Sequence, residues 1–317
     1  MNKYNLENEP LPVPQVCFSL ASLCNKKIIT LFIFLLFFIL FIIFFLKFFK
    51  HDSPKQQITT IKYQYSAPWN KELFDNYFKT AKTVPFVGNV KGGIVPHHLL
   101  AGDIPASFFA YLSKQKPSVV VILSPNHFST GNYSIISTLR DWQTPYGIVL
   151  SQTDIIKELE QNIILRIDET AIKEEHGLYS LIPFIKKSLP QATVVAIMIK
   201  DKTDVKYLDN LIAQINKVLP SDSVIIASID FSHYMTVKQA IANDAISQEA
   251  IKNFNYDKVL KLNLDSPSSL YVLLKLMEKS NAKKIGYEIS GNSAQYLHNP
   301  LPNDTVSYYS PYFVKSN

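Results

Sequence analysis

The stretch VVVILSPNHF, residues 119–128, carries the main clue to the fold. Val119–Leu123 is apolar without alternation, the pattern of a strand covered on both faces. It then breaks into Ser124-Pro125-Asn126-His127, passing from hydrocarbon to a titratable ring within four residues. Two other stretches repeat the event. GGIVPHH, residues 92–98, runs through Pro96 to His97, and VIIASIDFSHY, residues 224–234, runs to Asp230, Ser232 and His233. In open α/β sheets, ligands bind beyond the carboxyl ends of the strands. Three such endings predict one rim lined with imidazoles.

Working outward, strands and helices alternate. Asp103–Gln115 reads as a helix, with Asp103 suited to the N-cap and Phe108, Phe109 and Leu112 forming an apolar stripe. Ala192–Ile199 and Val224–Ile229 read as further buried strands. Helices are expected over Asp154–Gln161, Tyr179–Ser188, Asp204–Val218, Val237–Asn253 and Ser268–Lys279, and shorter strands over Ser134–Thr138 and Gly147–Leu150. This alternation predicts an α/β domain, a mostly parallel sheet with helices on both faces. The chain lacks G-x-G-x-x-G and the P-loop, so nucleotide binding has no support.

The N-terminal region differs in kind. Ile28–Leu46 is apolar throughout except for Thr30, and Lys26, Lys27, Lys47 and Lys50 flank it. Nineteen residues at helical rise span roughly 28 Å, about one hydrocarbon core. The expected organisation is a polar tail over 1–25, a single transmembrane anchor over 26–50, a linker over 51–66 and one α/β domain over 67–317. The lysines flanking the run barely distinguish its two sides, but both cysteines, Cys17 and Cys24, precede the anchor, which favours the main domain outside the cytoplasm. The net charge is +6, but basic residues are mixed with acidic ones, so nucleic acid is not an expected partner. The expected partners are a membrane, through the N-terminal helix, and a small molecule. Nothing indicates an oligomeric state.

Four histidines fall at loops or strand ends: His97, His127, His176 and His233. Imidazole is the commonest metal ligand near neutral pH and also shuttles protons. Metal ligands often come from separate strand ends, which makes His97, His127 and His233 candidates as a group, and no spacing here matches a defined zinc signature. His176, His233 and Asp230 are the candidate catalytic groups, His176 as proton donor or acceptor. Each has a plainer reading: a turn histidine, a backbone-satisfied strand end, a surface loop beside Glu174 and Glu175, or, for Asp230, an N-cap of the following helix. His51, His98 and His298 are left without a role, and Tyr308 and Tyr309 are read as packing residues. A Ser232–His233 hydrolase ranks last, because sequence neighbours rarely have the geometry of nucleophile and base and G-x-S-x-G is absent.

Four blocks in order resemble the Memo family, also known as AmmeMemoRadiSam system protein B. Gly93-Ile94-Val95-Pro96-His97 is similar to G-I-x-P-H, and Ile122–His127 to I-L-G-P-N/S-H. Glu175-His176-Gly177-Leu178 with Pro183-Phe184 is similar to E-H-S-L-E…P-F, and Ala227–Tyr234 to A-S-S-D-F/L-S/C-H-Y. The resemblance covers about residues 88 to 300. It implies a fold like that of extradiol dioxygenases and a divalent metal at His97 and His127, with His233 or Asp230 completing the shell, iron first, with copper and zinc open. It also implies a metal-dependent oxidoreductase, with the third site position, Cys in some members, falling on Ser232. The chain departs from the pattern at Gly177, Tyr179 and Ser232, and Asp265-Ser266-Pro267 replaces the usual Cys-Gly pair. A non-catalytic binding module using the same pocket therefore stands as the alternative.

Overall fold

A computed structural model of the chain describes residues 29–42, 64–65, 70–161, 165–298 and 300–315. The chain divides into two units, Met1–Thr60 and Ile61–Asn317. In the first, residues 29–42 are helical. Among the described residues no helix is long and apolar enough to cross a membrane. The remainder of the expected anchor, the tail over 1–25, His51, and the linker apart from residues 64–65 lie outside the described residues.

The second unit runs in chain order through β1 (Gln64–Tyr65), α1 (Lys71–Thr80), β2 (Val90–Val95), α2 (Asp103–Gln115), β3 (Val119–Pro125), β4 (Ile135–Ser137), β5 (Trp142–Thr144) and β6 (Gly147–Val149). It continues through α3 (Thr153–Gln161), β7 (Arg166–Ile167), α4 (His176–Tyr179), α5 (Ile182–Ser188), β8 (Thr193–Ile199), α6 (Val205–Val218) and β9 (Val224–Ser228). It ends with α7 (Val237–Lys252), α8 (Tyr256–Val259), α9 (Pro267–Lys279), β10 (Lys284–Asn292) and β11 (Ser307–Val314). Eight strands form one sheet in the order β10-β11-β2-β9-β3-β8-β4-β7. The central four, β2, β9, β3 and β8, are mutually parallel. β11 joins β2 antiparallel, and β10 joins β11 antiparallel.

The absence of alternation in β3 now has its cause. Val119, Val121 and Leu123 face one apolar layer with side chains of α3, α6 and α9. Val120 and Ile122 face the other, with side chains of α1, α2 and α5. Both faces are covered, so every position must be apolar, each aliphatic side chain contributing about 1.5–3 kcal/mol on burial. Gly93 serves this layering by close approach: a Cβ built there would lie 2.4 Å from the Phe108 ring and 2.8 Å from the Pro311 carbonyl.

Several local expectations shift. Asp103 is the first residue of α2, and Gly102 is the cap. Asp230 does not cap α7. Thr236 does, through a capping box with Gln239. The helix expected over Tyr179–Ser188 is two short helices, α4 and α5, with Pro183 near the start of the second. The C-terminal pair β10–β11 had no periodic signature. Tyr308 and Tyr309 are buried in β11, as packing residues should be.

Candidate functional site

β2, β9 and β3 are neighbours pointing the same way, so their carboxyl ends lie side by side. Adjacent strands are about 4.8 Å apart, the span over which side chains leaving those ends can meet. His97 follows β2 by two residues, His127 follows β3 by two, and Asp230 follows β9 by two. His176 arrives from another direction, as the first residue of α4, whose cap is Glu175. The ring centroids of His97 and His127 are 5.0 Å apart, those of His97 and His176 5.2 Å, and those of His127 and His176 4.0 Å, the last pair stacked. These groups line a cavity of about 1250 Å³ that His233, Tyr179 and Asp265 also border.

His97 is only 3% exposed. Its Nδ1 lies 3.0 Å from Ser228 Oγ, and its Nε2 lies 3.4 Å from both Asp230 Oδ2 and Asp265 Oδ2. His127 Nδ1 donates to Glu175 Oε1 at 2.6 Å, leaving Nε2 facing Asp265 Oδ2 at 3.8 Å. Glu175 is locked in turn, accepting from the backbone amides of His127 at 2.9 Å and Gly177 at 2.8 Å. Asp230 Oδ1 accepts from the His97 amide at 3.2 Å, and Asp265 Oδ2 accepts from the Asp230 amide at 2.9 Å. Asp265 Oδ1 is buried without a hydrogen-bond partner.

The electrostatics follow from burial and crowding. Burial, then the neighbouring His127 and His176, holds His97 well below the usual imidazole range. Burial and His127 lower His176 as well. Burial raises Asp230, and burial with the adjacent Asp230 pushes Asp265 well up. Burial alone would raise Glu175, but the His127 hydrogen bond and charge and the two amides outweigh it and hold its carboxyl low. Glu175 is therefore the anion that orients His127.

Ligand atoms of His97, His127 and His176 lie within 4.8 Å of one another, and so do those of His97, Asp230 and Asp265. Either group offers donors that suit a divalent metal: imidazoles of which His97 and His127 have Nδ1 already engaged and, in the second group, an Asp265 carboxyl with an unpartnered oxygen. His233 lines the same cavity but stands outside both convergent groups, its Nδ1 held 2.6 Å from the Phe231 carbonyl. Ser232 turns away: its Oγ donates to Asp244 Oδ1 at 2.8 Å and accepts from Asn243 Nδ2 at 2.8 Å. His98 binds Tyr308 Oη at 2.9 Å. Sequence reasoning named Asp265 only as a departure from a motif, named Glu175 only as a neighbour of His176 in its block, and gave Ser228 no role. The available signal was the Glu-His-Gly run, a capping carboxylate directly before a candidate ligand.

Fold and site together define a parallel-sheet α/β protein with a histidine–carboxylate cluster able to hold a metal ion. The chain belongs to the Memo-like protein family, whose model matches residues 63–300. It is 27% identical over 238 residues to a MEMO1 family protein of Caldivirga maquilingensis, covering 70% of this chain and 82% of that protein. It is 30% identical over 171 residues to a MEMO1 family protein of Sulfurisphaera tokodaii, covering 51% and 60% respectively. A crystal structure of an uncharacterized protein of Escherichia coli K12 superposes with a TM-score of 0.42 at 14% identity, over 66% of this chain and 91% of that one.

Proposed function

We propose that this chain is a metal-dependent oxidoreductase of dioxygenase-like type whose metal is held by His97 Nε2, His127 Nε2 and the Asp265 carboxylate. The observation that carries this reading is the position of Asp265 Oδ2, 3.4 Å from one Nε2 and 3.8 Å from the other, on a carboxyl with an orphaned second oxygen. Two imidazoles and one carboxylate suit Fe(II), with zinc second and soft Cu(I) third. When bound, the metal would supply Lewis acidity toward a small polar substrate and access to redox chemistry. The chain's own residues do the rest. Glu175 orients His127, Asp230 fixes the backbone of His97, and His176, neutral at pH 7 and stacked on His127, takes a proton from bound substrate. His233 and Tyr179, farther along the cavity wall, contact the substrate body.

The test is metal content after anaerobic reconstitution of the full chain with Fe(II), followed by oxygen consumption over a panel of catechols and related phenols. Stoichiometric metal that disappears in both His97→Ala and His127→Ala is expected. Metal retained in both variants overturns the ligand assignment. Metal binding without turnover on the panel favours the binding-module reading, for which Tyr179 in place of an acidic residue is the supporting feature.

The apolar run Ile28–Leu46 with its flanking lysines supports single-pass tethering, and the confinement of both cysteines to the segment before it supports a domain outside the cytoplasm. Resistance of the membrane-bound full chain to alkaline extraction is expected, and release into the soluble fraction would end that reading.

A further inference from the structure

We infer that Ser228 is a positioning residue: its hydroxyl selects the tautomer of His97 and ties that ring to the segment bearing His176. The inference is a matter of proton counting. Ser228 Oγ lies 2.5 Å from the Gly177 carbonyl oxygen and 3.0 Å from His97 Nδ1. A hydroxyl has one proton, and a carbonyl can only accept. The Ser228 proton is therefore committed to Gly177, and Oγ must accept from His97 Nδ1–H. The lone pair of His97 is left on Nε2.

Without that serine the preference would run the other way. Nε2 faces the carboxylate oxygens of Asp230 and Asp265, each at 3.4 Å. Whichever of the pair is ionised favours a proton on Nε2, and a small movement would bring its oxygen within the usual 2.7–3.2 Å. A proton on Nε2 blocks the ring as a ligand on the cavity side. The short contacts to Ser228 hold the other tautomer in its place. Gly177 follows His176 directly, so the same hydroxyl joins the end of β9 to the start of α4. His127 receives the equivalent service from Glu175, an anion. For fully buried His97 the neutral serine does it without adding a third carboxylate beside Asp230 and Asp265.

The consequence for metal binding rests on the reading above, but the tautomer does not, so the two can fail separately. The experiment is long-range proton–nitrogen NMR of histidine-labelled, metal-free full chain, with His97 signals assigned by their loss in His97→Gln. The wild-type ring is expected to carry its proton on Nδ1. Ser228→Ala should shift His97 toward the Nε2–H form and weaken Zn(II) binding about 10–100-fold, the usual cost of losing an outer-shell partner. Ser228→Cys, of similar size with a weak acceptor, should fall between. Ser232→Ala removes an equally buried hydroxyl that serves Asp244, and should leave the His97 spectrum unchanged. A wild-type His97 protonated on Nε2, or a spectrum indifferent to Ser228→Ala, would overturn the inference. An Nδ1–H tautomer lost in Ser228→Ala, in a chain that binds no metal, would uphold the serine's role and defeat the metal reading instead.

Discussion

Two buried polar clusters flank Phe231, and they are built to opposite specifications. On one side, Ser232, Asp244, Asn243 and Ser307 satisfy one another: Ser232 Oγ gives its proton to Asp244 and accepts from Asn243, while its amide donates to Ser307 Oγ at 2.9 Å. On the other side, His97, His127, Asp230 and Asp265 are gathered with capacity to spare, including two Nε2 atoms and one orphaned carboxylate oxygen. Buried polar groups in a folded protein are almost always paired. A closed cluster holds structure together, whereas an open and convergent one is where a ligand belongs. One residue, Phe231, separates Asp230 from Ser232, and only pairing tells them apart.

The sharpest way to break the contrast is Asp265→Asn. Metal affinity should fall by more than the roughly 10–100-fold of an outer-shell loss, read by competition with a chelator. The metal-free protein should meanwhile become more stable at pH 8. A carboxyl raised in the folded state contributes stability below its ordinary pKa and loses it as pH rises through the folded value, at up to about 1.4 kcal/mol per unit. The amide removes that cost, so the gain in unfolding midpoint should shrink toward pH 4. An unchanged metal affinity would show that Asp265 is not a ligand.

Ser232→Ala probes the closed cluster. It takes one hydrogen-bond partner from Asp244 and one from Asn243, which keeps the Asn263 carbonyl, and should lower stability by about 1–3 kcal/mol, measured by urea unfolding, with metal content untouched. Loss of metal there would erase the distinction between the clusters.

A smaller effect concerns the wall between His127 and His176. A Cβ on Gly177 would meet Ser124 Oγ at 2.4 Å. The family motifs that these two blocks resemble have the hydroxyl and the hydrogen the other way round, glycine at the position of Ser124 and serine at that of Gly177. Gly177→Ser should therefore cost about 1–3 kcal/mol by overpacking, and Ser124→Gly added to it should restore most of the loss. Failure of the double variant to recover would leave the exchange unexplained by space.

The smallest effect is one of pH. His97 is held neutral, so its folded pKa lies below its unfolded value. Stability is unaffected above the ordinary imidazole range and falls as pH drops below about 6.5, where only the unfolded chain takes up the proton. The unfolding free energy of wild type relative to His97→Gln should decline between pH 7 and pH 5 in the metal-free protein. A flat difference would mean that His97 is not held neutral.

Much of this was legible in one dimension. Uninterrupted apolar runs at Val119–Leu123, Val194–Ile199 and Val224–Ala227 require cover on both faces, which requires helices on both sides of a mostly parallel sheet. Histidines directly after such runs must emerge at the carboxyl rim, so His97 and His127 could be named from chain position. His176 needed the Glu-His-Gly run beside it. Asp265, Glu175 and Ser228 could not be singled out in this way, because what distinguishes them is a partner far along the chain: Asp265 meets a histidine 168 residues earlier, and Ser228 meets a carbonyl 51 residues earlier. The fold class follows from periodicity, a local property of neighbouring residues. The composition of the site follows from strand order, which sets β9 between β2 and β3, and from the cost of burying polar groups. That cost leaves Ser232 paired and Asp265 waiting, and it is decided only when distant segments are brought within a few ångströms of each other.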